Sequence, residues 1–63
     1  MTDHDIKILK AMKRYGGSFA SNIAQAALAA DSINYARLKA AFPDLWDSYE
    51  RFIEIRNASG KVD

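Results

Sequence analysis

Arg14-Tyr15-Gly16-Gly17-Ser18-Phe19 is the point at which one helical pattern stops and another starts, with an aromatic residue on each side of a glycine pair. Gly16 suits the left-handed position that closes a helix, Gly17 extends the turn, and Ser18 is a natural N-cap for the downstream helix. Both flanks have helical periodicity. The corner therefore predicts an all-α chain in which two helices meet at residues 16–17.

Upstream, Thr2 is placed to cap a first helix with Asp5 at the reciprocal position of a capping box. Asp3 and Asp5 in the first turn, with Lys10, Lys13 and Arg14 towards the end, suit the helix dipole. At about 100° per residue, Ile8, Leu9, Met12 and Tyr15 gather on a core side and the basic residues on another, leaving Ile6 off the stripe. Downstream, a second helix is predicted from Ser18 to about Ala30, with Phe19, Ile23, Ala26 and Ala30 as its apolar stripe and Leu28 opposite. Its six alanines favour the helix and leave little bulk, so a backbone or ligand can come close.

Asp31 or Ser32 is expected to cap a third helix over 33–41, with Tyr35, Leu38 and Phe42 facing the core. Pro43 sets the next boundary, because the residue before a proline disfavours the helical region. A fourth helix, capped by Asp44, carries Leu45, Trp46, Tyr49, Phe52 and Ile53 on the strongest apolar stripe in the chain. From Ala58 the pattern is lost, which predicts one helical domain over 1–57 and a flexible tail over 58–63. The expected architecture is a small bundle of three to four short helices.

Composition bounds what such a bundle can be. The chain has 63 residues, 49% of them hydrophobic, and no cysteine. Domains this small usually need extra stabilisation, and disulfides and thiolate zinc sites are excluded. Packing and self-association remain, so a homo-oligomer is expected. A formal charge of +1 gives no whole-molecule attraction to nucleic acid or anionic membranes. Nothing resembles a signal peptide or a span of about 20 apolar residues, so a cytoplasmic protein without membrane contact is expected.

Enzyme chemistry finds little support. His4 is the single histidine, and neighbours one residue away on a helix do not share its face, which makes a metal site with Asp3 and Asp5 poor. The serines have no His or Lys partner at a recognisable spacing. Asp44, Asp47 and Glu50 read as carboxylates stabilising a helix start. The expectation is a non-enzymatic chain with no metal and no cofactor.

Binding is a better fit, and it centres on the glycine corner. Two glycines before a serine-capped helix expose backbone N–H groups at the positive end of a helix dipole, which favours anions. Lys13 and Arg14 add charge, Tyr15 and Phe19 offer stacking surfaces, and Asn22 can hydrogen-bond a base edge. Gly16, Gly17 and Ser18 would supply the phosphate contacts. The plainer alternative is a helix corner in which both aromatics are core. No P-loop is present, because no Gly-Lys-Ser/Thr follows.

The features Tyr15-Gly16-Gly17-Ser18-Phe19, Ala30-Asp31, Phe42-Pro43-Asp44-Leu45-Trp46 and Tyr49 resemble short open reading frames of tailed bacteriophages and prophages. That resemblance implies a small accessory or immune-evasion protein. Such proteins include nucleotide sponges, non-enzymatic oligomers that sequester the cyclic nucleotide signals of cyclic-oligonucleotide-based (CBASS) anti-phage defence. The leading expectation is a sponge of this kind in the host cytoplasm.

A rival reading is helix-turn-helix DNA binding, with helices 2 and 3 as the motif and Ile33, Asn34, Arg37 and Lys39 towards the major groove. The chain is similar to small phage helix-turn-helix proteins with a Gly-Gly turn and an alanine-rich helix. It departs from them in a longer alanine-rich helix, no glycine in the second turn and few basic residues on the reading helix. A third possibility is an inhibitor docking a host protein through leftover apolar surface.

Overall fold

In the computed structural model, residues 1–57 are described in full, and the backbone of Ala58 closes the last helix. The tail expected over 58–63 otherwise lies outside the described residues. Four helices follow in order: α1 Asp3–Tyr15, α2 Ser18–Ala29, α3 Ser32–Ala41 and α4 Pro43–Ala58. No strand occurs among the described residues, and none of their helices is long and apolar enough to cross a membrane.

α1 begins as its sequence dictates. The Thr2 hydroxyl accepts from the Asp5 N–H at 3.1 Å, and the Asp5 carboxylate accepts from the Thr2 N–H at 3.1 Å, completing the capping box. Ile8, Leu9, Ala11 and Met12 are buried, and Leu9 and Met12 are the largest fully buried side chains. The core is thin but continuous. Trp46 and Ile53 of α4 and Ala24 and Ala27 of α2 complete it, with Ile23, Tyr35, Leu38, Phe42, Leu45, Tyr49 and Phe52 packed around the edge.

The α1–α2 corner differs from expectation in two ways. Gly16 is not left-handed: it has φ −78° and ψ 158°, an extended conformation open to any residue. Glycine is required there by proximity, since a Cβ would meet the Met12 carbonyl oxygen at 2.5 Å and the Ala20 Cβ at 2.6 Å. Ser18 is not the N-cap either. Gly17 takes that position in extended conformation, Ser18 is the first helical residue, and no side chain caps α2.

The same close approach rotates α2 relative to the predicted stripe. Its buried residues are Ala20, Ala24 and Ala27, whereas Phe19 is 60% exposed. The smallest side chains face α1, because only they allow a backbone to come within contact of Gly16. Phe19 and Ile23 then fall on the flank towards α3. Tyr15, assigned to the core of α1, is 41% exposed for a related reason: it lies at the last residue of its helix and packs on α4 from outside.

Near α3, Asp31 is the cap of the two residues offered, the helix begins at Ser32 rather than 33, and the start of α4 needs correction. The Asp31 carboxylate accepts from the Asn34 N–H at 2.7 Å. Asp44 does not cap α4. The helix starts one residue earlier at Pro43, whose fixed φ suits a first helical position, and Asp44 sits in the first turn.

Candidate functional site

The residues expected to form an anion site lie at the α1–α2 corner but do not all converge. Gly17 has nothing within 4 Å of the position a Cβ would take, so the uncapped start of α2 is open. Lys13 and Ser18 are exposed beside it, and Asn22 is exposed one turn into α2. The two aromatics diverge. Tyr15 packs on Phe52 of α4 with centroids 5.0 Å apart, between the guanidinium groups of Arg14 at 5.2 Å and Arg56 at 5.1 Å. Phe19 instead meets Phe42, at the end of α3, edge-on at 5.5 Å. Phe42 closes α3 just before α4 begins, and Phe52 lies ten residues further on, within α4. The Tyr15 and Phe19 rings are therefore each engaged by a different aromatic partner rather than paired with each other.

A second arrangement is built on α2, α3 and the turn between them. Ala30 has φ −82° and ψ 148°, and Asp31 has φ −71° and ψ 175°. Neither is left-handed, so this turn has no need of the glycine whose absence counted against a helix-turn-helix. α3 buries none of its residues. Its position is nevertheless fixed from several sides. The Asp31 cap holds its start, Tyr35 and Leu38 pack against the core, and the Trp46 Nε1–H donates to the Tyr35 hydroxyl at 3.1 Å.

Tyr35 also joins α3 to α1 through Asp5. Partial burial pushes the Asp5 carboxyl up. Hydrogen bonds from the Thr2 backbone, the Thr2 hydroxyl and Tyr35, together with the Lys39 charge, outweigh that push and hold its pKa below the ordinary carboxylate value. Burial pushes the Tyr35 phenol up, and Asp5 reinforces the shift while the bond from Trp46 opposes it. Lys39 thus lies on the α1 flank of α3, which removes it from the outward set. Ile33, Asn34 and Arg37 remain there, exposed, with Ile33 at 66% the most exposed large apolar residue in the described chain. Beside them Ala26 and Ala30 of α2 and Leu38 and Ala41 of α3 line a shallow groove that Asn34 and Arg37 border.

His4 is tied to α4, its Nε2 lying 2.9 Å from a Glu50 carboxylate oxygen. No group of three or more His, Cys, Asp or Glu side chains that could hold a metal occurs among the described residues. Sequence reasoning missed the contribution of Arg56 and Phe52 to the Tyr15 environment and the Trp46–Tyr35 bond. The bond had a readable signal: two buried-stripe aromatics with polar tips need partners. No protein-family model matches this chain, and no curated protein or solved structure does.

Proposed function

We propose that the chain is a non-enzymatic DNA-binding domain of helix-turn-helix type, in which α3 enters the major groove and α2 lies across the phosphate backbone. The observation carrying this reading is that α3 buries no residue although it is held by a cap, by packing and by the Trp46–Tyr35 bond. A helix so constrained, with an outer face the core does not use, is suited to present side chains rigidly. At 10 residues it is about 15 Å long, and a helix of about 10–12 Å diameter matches a major groove about 12 Å wide. Asn34 is the type of side chain that pairs with adenine, Arg37 the type that pairs with guanine, and Ile33 offers an apolar contact for a thymine methyl. The uncapped N–H groups of α2 suit a backbone phosphate. The likeness to small phage helix-turn-helix proteins agrees with this assignment, as an analogy of pattern.

The test is selection from a random duplex pool followed by mobility shift. Asn34→Ala and Arg37→Ala should each weaken the selected site by about 5- to 150-fold and relax its preference at one position, the range for a bidentate base contact. A pool that yields no preferred sequence would remove the reading. Self-association belongs to the same proposal, because Leu28 of α2 and Ile55 of α4 are 40% and 65% exposed. Sedimentation should find a mass above that of one chain.

A second reading is supported by the open space at Gly17. There the start of α2, with Lys13 and Arg14 upstream, takes a phosphate-bearing small ligand, and the phage-like sequence makes a cyclic nucleotide defence signal the candidate. A nucleotide at a thousandfold excess over its Kd would add about 4 kcal/mol of apparent stability. Thermal melting with cyclic di- and trinucleotides separates the readings, since a DNA reader shows no such shift.

A further inference from the structure

The outer face of α1 carries a basic stripe that neither the core nor the helix dipole explains. Lys7, Lys10, Lys13 and Arg14 lie away from buried Ile8, Leu9 and Met12, and all four are exposed. The dipole favours cations in the last turn, which accounts for Lys13 and Arg14 but not for Lys7 and Lys10. Like charges three or four residues apart destabilise a helix, and Lys7–Lys10, Lys10–Lys13 and Lys10–Arg14 all have that spacing. No acid interrupts the run from Lys7 to Arg14, and Lys7, Lys10 and Lys13 make no ion pair among the described residues. Of the acids, Asp3 and Asp5 sit in the first turn of α1, before the run, and Asp44, Asp47, Glu50 and Glu54 are on α4. The run from Lys7 to Arg14 is therefore locally basic within a chain of net charge +1.

We propose that this stripe grips the phosphodiester backbone of duplex DNA as an anchoring surface distinct from the base-reading face of α3. The inference rests on the DNA-binding reading and adds the source of its affinity. Arg37 is the one cation on the outer face of α3, too little to hold a polyanion by itself. The stripe supplies what is missing. Its seven-residue reach spans about 10 Å along the helix, long enough to meet more than one phosphate. Lysines act as mobile point charges suited to sequence-independent backbone contacts. In sequence, only Tyr15, Gly16 and Gly17 separate its C-terminal end from the start of α2, which no side chain caps.

The experiment is the salt dependence of affinity, read by fluorescence anisotropy on one labelled duplex. Each phosphate contact contributes about 0.9 to the slope of log K against log salt, so loss of three removes about 2.7. Between 50 and 200 mM salt the wild-type chain should lose about 40-fold more affinity than the Lys7→Gln, Lys10→Gln, Lys13→Gln variant. Lys10→Gln alone should show about a third of that slope change. A control with the same charge change on α4, combining Ser48→Asp, Arg51→Gln and Asn57→Asp, should keep the wild-type slope. Equal slopes in wild type and the lysine variant, or equal reduction in the lysine variant and the control, would overturn the stripe assignment while leaving α3 as the reader. If the wild-type chain binds no duplex at all, the DNA-binding reading fails and this inference with it.

Discussion

Replacing Gly16 with alanine puts a methyl group into space already held by its neighbours. The new Cβ would lie 2.5 Å from the Met12 carbonyl oxygen, 2.6 Å from the Ala20 Cβ and 3.0 Å from the Tyr49 hydroxyl. Two of these obstacles are helix backbone or a Cβ and cannot swing aside: the Met12 oxygen belongs to the helix that Gly16 closes, so the last turn of α1 must distort, and α2 must move off by about 1 Å to clear Ala20. Overpacking of this kind costs about 1–3 kcal/mol. Against it, alanine lowers the entropy of the unfolded chain, a gain of about 0.4–1 kcal/mol that counts here because the native φ is allowed. The net loss is about 1–2 kcal/mol, and at about 4–8 °C per kcal/mol for a domain this small the melting temperature should fall by roughly 5–15 °C. Gly17→Ser makes the opposite case. Nothing lies within 4 Å, the backbone is already extended, and serine caps a helix slightly better than glycine. With the unfolded-state gain added, it should stabilise by about 0.5–1 kcal/mol. Urea and thermal denaturation followed by helical circular dichroism measure both. A Gly16→Ala chain as stable as wild type, or a Gly17→Ser chain less stable, would refute the division of labour between the two glycines.

Tyr35→Phe removes the acceptor for the indole N–H of Trp46, which is 3% exposed, and leaves that donor unsatisfied at a cost of about 1–3 kcal/mol. Trp46 is the single tryptophan, so its emission spectrum should shift with the loss of the bond, and an unchanged spectrum with unchanged stability would contradict it. The lowered Asp5 pKa predicts acid sensitivity: its contribution is complete well above the ordinary value of 3.8 and is lost as pH falls through the lower folded value. The stability gap between wild type and Asp5→Asn should therefore narrow as pH drops below 4, and a gap constant from pH 6 to 2.5 would count against the Thr2–Asp5–Tyr35 arrangement.

The elements whose ends are marked by local chemistry were legible in the sequence. Thr2 with Asp5, Asp31 before α3 and the Leu45–Ile53 stripe of α4 depend on groups a few residues apart, and the structure places them as read. What could not be read depends on which face of a helix meets which neighbour. For α2 the periodicity favoured the bulky Phe19–Ile23 side, but tight packing against α1 selects the small side through Ala20, Ala24 and Ala27. A hydrophobic count ranks phenylalanine above alanine. A close helix crossing reverses that order, because side-chain volume sets how near two backbones can come. The turn conformation was likewise not readable: both Ala30 and Asp31 are extended, so this turn needs no glycine.

The glycine pair then has two separate meanings. Gly16 is accounted for by the Met12 and Ala20 contacts, so its presence says nothing about a ligand. Gly17 has no packing reason and no conformational one, since its φ is −69° and its surroundings are empty. A capping side chain would hold the start of α2 by only a few tenths of a kcal/mol more than glycine does, and it would also occupy the N–H groups that an incoming phosphate needs. The absence of a side-chain cap at Gly17 and the like-charge spacing of Lys7, Lys10 and Lys13 are each a small local cost to stability. On the proposed DNA-binding reading, a phosphate backbone would relieve both. It would accept from the open amides and neutralise the lysines, whereas a purely structural corner would retain the cost of each without compensation.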